Sequence, residues 1–117
     1  MKKKSEMPGM KFDSDRPRLD LLPFAAIEEI GKVLKFGAQK YEENNWRKDL
    51  KISRYIRASL SHIFAHMRGE DLDQESGLHH LSHAACSVLM ALELFLLERQ
   101  ERDDRFFKGG KDGRAEE

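Results

Sequence analysis

Three stretches of this chain repeat their apolar residues at helical spacing, and that pattern most restricts what it can fold into. After Pro23, the residues Ile27, Ile30, Val33, Leu34, Ala38 and Tyr41 recur every three or four positions. Ile56, Leu60, Ile63, Phe64 and Met67 do the same in a second stretch, and Leu78, Leu81, Ala85, Val88, Leu89, Leu92 and Leu96 in a third. This spacing lays one apolar stripe along each helix. No segment with the two-residue period of a strand competes with it. The expected fold class is all-α, a small helical bundle with three main helices. A chain of 117 residues buries a limited fraction of its surface alone, so the bundle is expected to pack into an oligomer.

Local signals place the boundaries. Pro23 suits a first helical turn, where its missing N–H does no harm. Ser53 reads as the N-cap of the second helix and Gly69 as its end. Ser76 reads as the cap of a third helix over 78–98. Residues 1–18, with Pro8, Gly9, Pro17 and many charges, read as an N-terminal arm. Residues 19–98 form the helical domain that carries the chemistry. Residues 99–117 form a charged, partly disordered tail, in which Phe106 and Phe107 are offered to a partner.

Lysine plus arginine and aspartate plus glutamate both number 21. That balance excludes the basic excess of a dedicated duplex-DNA binder. Cys86 is the only cysteine, so no intrachain disulfide or cysteine-rich zinc module can form, and a reducing cytoplasm fits. The three lysines after Met1 are not followed by an apolar core of a signal peptide. The run from Ala84 to Leu97, broken by Ser87 and Glu93, reads as too short and polar for a bilayer. The chain is expected to be soluble and not exported.

All five histidines, His62, His66, His79, His80 and His83, cluster around the acidic stretch Glu70-Asp71-Leu72-Asp73-Gln74-Glu75. Carboxylates suit hard cations, and imidazole adds affinity for transition metals. His80 and His83 share one helix face, as do His62 and His66. The same residues also fit a solvated surface with a capping loop, and His66 and His79 read as bystanders. A second group joins Lys40 and Tyr41 to Asn45, Trp46, Arg47 and Lys48. An aromatic among amides and cations can stack a base and hold phosphates. A Trp plugging a hydrophobic gap is the competing reading. Arg54 and Arg57 could add phosphate contacts, and Glu28 and Glu29 read as surface acids. Cys86, among Ala84, Ala85 and Val88, reads as an inert buried thiol. No Walker loop or Gly-x-Ser-x-Gly elbow is present.

Several strings together resemble one family: Leu22-Pro23, the run from Phe36 to Tyr41, Asn45-Trp46, and above all the run from Gly69 to Ala84. Over about residues 12 to 98 the chain is similar to the phage-type dATP/dGTP diphosphohydrolases (MazZ-like), within the all-α MazG-like nucleoside triphosphate pyrophosphohydrolases. The resemblance implies cleavage of a purine deoxynucleoside triphosphate between the α and β phosphates. Monophosphate and pyrophosphate would be the products, with Mg²⁺ or Mn²⁺ as cofactor and a dimer or tetramer as the assembly. In phages with 2-aminoadenine DNA such an activity supplies dGMP and removes dATP. Under this reading Glu70, Asp73 and Glu75 offer metal oxygens, and His80 and His83 take a proton or bind metal. His62 and His83 complete the ligand set. Lys40, Arg47 and Lys48 hold the leaving pyrophosphate, Trp46 or Tyr41 stacks the purine, and Asn45 meets a base edge.

The chain also departs from the wider group. That group carries Glu-Glu-x-x-Glu and then Glu-x-x-Asp on helices, whereas here Glu28-Glu29 is followed by Lys32, and Glu70 to Asp73 falls between helices. His80-x-x-His83 takes the helical place of the Glu-x-x-Asp pair, and Ser61 stands where a basic residue is expected. A non-catalytic helical regulator and a histidine-based phosphohydrolase acting on monophosphates are the competing functions.

Overall fold

The computed structural model describes residues 15–40 and 51–106, the side chains of 98–102 excepted. A short 3₁₀ turn, Leu19–Leu21, precedes three helices: α1 Phe24–Lys40, α2 Ile52–Met67 and α3 His80–Arg102. Among the described residues the only β pairing is an isolated antiparallel bridge between Leu72 and His79. Thus the all-α class holds.

Helices α2 and α3 form an antiparallel pair, and α1 lies against α3. Small residues let the pair approach closely: Ser59, Ala65, Ala84 and Ala91 are all buried. The buried Ser59 hydroxyl donates to the Ala84 carbonyl at 3.0 Å, which meets the need of a polar group taken out of water. At the far end of the pair, Ile52, Ala91 and Leu94 form the core cluster, with Tyr55 and Phe95 packed on it.

The apolar stripes read from the sequence are not the faces this chain buries against itself. Ile56, Leu60, Phe64 and Met67 on α2 are exposed, as are Leu81, Val88, Leu89, Leu92 and Leu96 on α3. Helix α1 has no fully buried residue. The internal contact uses an adjacent face, with small and polar residues such as Ser59, Ala65 and Ala84 joined by Ile52 and Leu94 at the far end. Periodicity locates an apolar face but not what covers it.

Helix ends also differ in part. Pro23 is the residue before α1, and its carbonyl accepts from the Ile27 N–H at 3.0 Å. Ser53 is not the N-cap of α2. It lies inside the first turn, and its N–H is met by the Asp104 carboxylate at 3.1 Å. Ser76 does not cap α3, which starts at His80. Helix α3 continues to Arg102, past the expected end near Glu98. The following residues fold back, with Asp104 on α2 and the Arg105 guanidinium 5.5 Å from the Phe95 ring centre.

The His80–Leu97 segment has a mean hydropathy of 1.6 over 18 residues, long and apolar enough to cross a membrane by length and composition. This corrects the reading of that stretch as too short and polar. Its apolarity also serves the α2 contact, since Ala84, Met90, Ala91 and Leu94 are buried.

Gly69 ends α2 as expected, at a φ of 95°. Its N–H bonds the His66 carbonyl at 2.9 Å, and the Glu70 N–H bonds the Ala65 carbonyl at 3.0 Å. This paired closure needs a left-handed residue. A Cβ at Gly69 would meet nothing within 4 Å, so the cost of Gly69→Ala is backbone strain alone. We expect it to lose about 1–2 kcal/mol, read as a lower urea midpoint with an unchanged slope. An unchanged midpoint would mean the turn is not held.

Candidate metal and hydrolytic site

The connection between α2 and α3 is tightly bonded. The Asp73 N–H donates to the Leu78 carbonyl, the Gly77 N–H to the Asp73 carbonyl, and the His80 N–H to the Asp71 carbonyl, each at 2.8 Å. Gly77, with a φ of 74°, makes the turn. This closure folds the acidic stretch back onto the start of α3 and fixes Asp73 beside the histidines.

Three rings meet there. His62 of α2 and His80 of α3 share a hydrogen bond between their Nδ1 atoms at 2.8 Å. The His62 and His83 rings stack at 4.6 Å with an interplanar angle of 14°. The edge of the group is closed by Phe36 of α1, 6.4 Å from the His83 ring and perpendicular to it. Asp73 is tied down by Ser76, whose N–H and hydroxyl reach Asp73 Oδ2 at 2.9 and 3.0 Å. The Ser76 oxygen also accepts from the Leu78 N–H at 3.1 Å and lies 2.7 Å from His83 Nε2. With its one hydrogen given to Asp73, Ser76 accepts from His83 Nε2–H. That assignment leaves His83 Nδ1 with a lone pair.

Burial pushes the His62 and His83 imidazoles below their ordinary pKa of 6.5. His62 is lowered further by its histidine neighbours. At His83 the Asp73 charge works against burial without cancelling it. For Asp73, burial acts upward, but the two Ser76 hydrogen bonds and the nearby histidines hold it below 3.8. Neutral pH therefore finds the His62 and His83 rings neutral beside the Asp73 carboxylate. A histidine with a depressed folded value binds fewer protons folded than unfolded. Stability should thus fall as pH drops through about 6.5 and be insensitive above it. Urea midpoints measured from neutral to mildly acid pH test this. The fall should shrink in His62→Ala, and an equal fall in that variant would refute the assignment.

One ligand atom each from His62, Asp73 and His80 lies within 4.8 Å of the other two. Zinc-type sites bind imidazole nitrogen and carboxylate oxygen at about 2.0–2.2 Å, so slight closure lets one ion touch all three. Two imidazole nitrogens and one oxygen suit Mn²⁺ better than Mg²⁺, which takes oxygen ligands in near-ideal octahedral geometry. The Nδ1–Nδ1 hydrogen bond occupies one ring-nitrogen lone pair of this group.

The other sequence candidates fall around this group. Glu70 is exposed, with Oε1 3.8 Å from His80 Nε2 and its other oxygen 3.4 Å from Arg68. Glu75 pairs with Lys40 across to α1. These two acids form a rim, while His80 joins Asp73 and His62 at the centre. His66 and His79 face away from the cluster, into a neighbouring cleft. Glu29 pairs with Lys32 at 2.7 Å on the surface. Cys86 is buried, and burial pushes its thiol up to about 11. Tyr41, Asn45, Trp46, Arg47 and Lys48 lie outside the described residues. Sequence reasoning missed Ser76 as a site residue, although Asp73-x-x-Ser76 is a spacing that lets a carboxylate bond a hydroxyl and N–H three residues on. It also missed Phe36, which only the packing of α1 brings to His83.

No solved structure matches the chain. A protein of Salmonella phage PMBT28 described as a dATP/dGTP diphosphohydrolase is 39% identical over 111 residues, covering 95% of this chain. The chain spans only 38% of that relative's length. Residues 6–105 match the family described as dATP/dGTP diphosphohydrolase, N-terminal. They include α1, α2, the acidic connection and all three clustered histidines. On that match, the chain belongs to the family of the dATP/dGTP diphosphohydrolase N-terminal region.

Proposed function

We propose that this chain hydrolyses purine deoxynucleoside triphosphates, dGTP and dATP, to the monophosphate and pyrophosphate. The observation that supports this best is the convergence of His62, His80 and Asp73, with ligand atoms within 4.8 Å, in a chain of this family. His62, Asp73 and His80 would hold a divalent ion, with Glu70 and Glu75 available at the rim. When bound, such an ion neutralises phosphoryl oxygens and acidifies water.

The chain's own groups do the rest. Water adds to phosphorus as the bond to the oxygen bridging the α and β phosphates breaks, and pyrophosphate leaves with that oxygen. His83 is the candidate base. It is neutral, held by Ser76 at 2.7 Å, and able to take the proton of the attacking water. Asp73, 3.9 Å from His83 Nε2, favours the imidazolium that results. Lys40, with Arg47 and Lys48, would hold the pyrophosphate by charge-assisted bonds. Tyr41, Asn45 and Trp46, from the same segment, are proposed as further substrate contacts.

Self-association belongs to the same proposal. The exposed stripes Ile56, Leu60 and Phe64 on α2 and Val88, Leu92 and Leu96 on α3 suit a second copy as cover. The test is product chromatography with each dNTP, with Mn²⁺, with Mg²⁺ and with chelator. The expected result is metal-dependent release of dGMP or dAMP and pyrophosphate. Inorganic phosphate and a nucleoside from a monophosphate would favour the histidine-based phosphohydrolase. No turnover of any dNTP with either ion would favour the non-catalytic module.

A further inference from the structure

A second recess lies beside the ligand cluster. It is a cleft of about 430 Å³ between the first half of α1, the end of α2 and the start of α3. Its walls include Ile30, Leu81 and Ala85, and Glu29, Asp71 and His79 bring polar groups to it. Cleft and cluster are two sides of one bonded connection. Asp71 accepts the His80 N–H at 2.8 Å, and His79 bridges Leu72, the neighbour of Asp73.

Helix α1 gives the two sites an order. Lys40, at its C-terminal end, reaches Glu75, and Phe36 stands against His83. Glu29 lies seven residues before Phe36, about 10 Å back along the helix at 1.5 Å per residue. A deoxynucleoside triphosphate has the same linear order of base, sugar, reacting phosphorus and leaving pyrophosphate. With phosphorus at the cluster and pyrophosphate toward Lys40, the base points toward Glu29.

We infer that this cleft receives the purine base of the substrate, an assignment that rests on the triphosphate reading above. The apolar walls take the faces of the ring system. The carboxylates of Asp71 and of Glu29, one of whose oxygens is held by Lys32 at 2.7 Å, accept from the N–H groups of its edge, since an ionised carboxylate only accepts. Guanine offers a ring N–H beside an amino group, and adenine offers an amino group. Thymine offers no amino group and a single ring to fill the cleft. Specificity would then come from Glu29 of α1 and Asp71 of the connection.

Ala85 is exposed in the cleft, so Ala85→Leu fills space without disturbing the core. It should raise KM for dGTP and dATP about tenfold or more and leave Mn²⁺ affinity as in the wild type. Unchanged KM in Ala85→Leu, with a large rise in Trp46→Ala instead, would place the base at Trp46 and overturn the inference. Nuclear magnetic resonance separates this from the hydrolysis reading. Millimolar dGMP without metal should move the ring signals of His79, and inorganic pyrophosphate should not. Movement of His79 in a protein without turnover supports the cleft and sinks the hydrolysis reading. Turnover with His79 unmoved by dGMP sinks the cleft alone.

Discussion

Asp73→Asn should reduce turnover by more than about 100-fold while the protein stays folded. Losing a group behind a metal ligand typically costs about 10–100-fold, and Asp73 is the one carboxylate in the central set. Asparagine keeps the shape and an oxygen that accepts the Ser76 bonds at 2.9 and 3.0 Å. What it loses is the charge that draws the cation and favours a protonated His83. Mn²⁺ affinity should fall with activity, and circular dichroism should not change. His62→Ala should cost a similar factor. The double variant should cost little more, because residues acting as one unit do not lose activity additively. Glu75→Gln should cost less, since Glu75 sits on the rim with Lys40. Wild-type turnover and wild-type Mn²⁺ affinity in Asp73→Asn would remove the site from this cluster.

The ranking of the acids shows what the sequence could and could not convey. Spacing alone brought Glu70, Asp73 and Glu75 into one segment and paired His80 with His83. It could not tell which acid turns inward. That is decided by the closure of Asp73 on Leu78 and by Ser76, contacts made across a turn that carries no period. His62 could be guessed only by assuming that two helices pack as a hairpin, and the buried Ser59–Ala84 contact is what sets that register. The helices themselves were legible because 3.6-residue periodicity is local. Their caps were less so. Ser53 has the composition of a cap, but the carboxylate that serves the helix end is Asp104, 51 residues away. Distant partners leave no mark on local sequence.

Leu94→Ala should be the most destabilising single truncation in the core. Leu94 is 1% exposed and is the largest fully buried side chain among the described residues. A Leu to Ala change at such a place costs about 2–5 kcal/mol, the lost transfer free energy plus a cavity. Small domains hold about 5–15 kcal/mol in all, so much of the stability goes with one side chain. Leu92, two residues earlier, is 51% exposed and faces the apolar groove with Ile56 and Leu60. In an isolated chain, Leu92→Ala should therefore cost far less than Leu94→Ala. With a second copy over the groove, its cost should approach that of a buried leucine and depend on protein concentration, because association is linked to folding by mass action. Urea melts of both variants across a range of concentrations distinguish the cases. A Leu92→Ala midpoint close to wild type at every concentration would sink self-association through this face. A Leu94→Ala midpoint close to wild type would mean that the α2–α3 register described above is wrong.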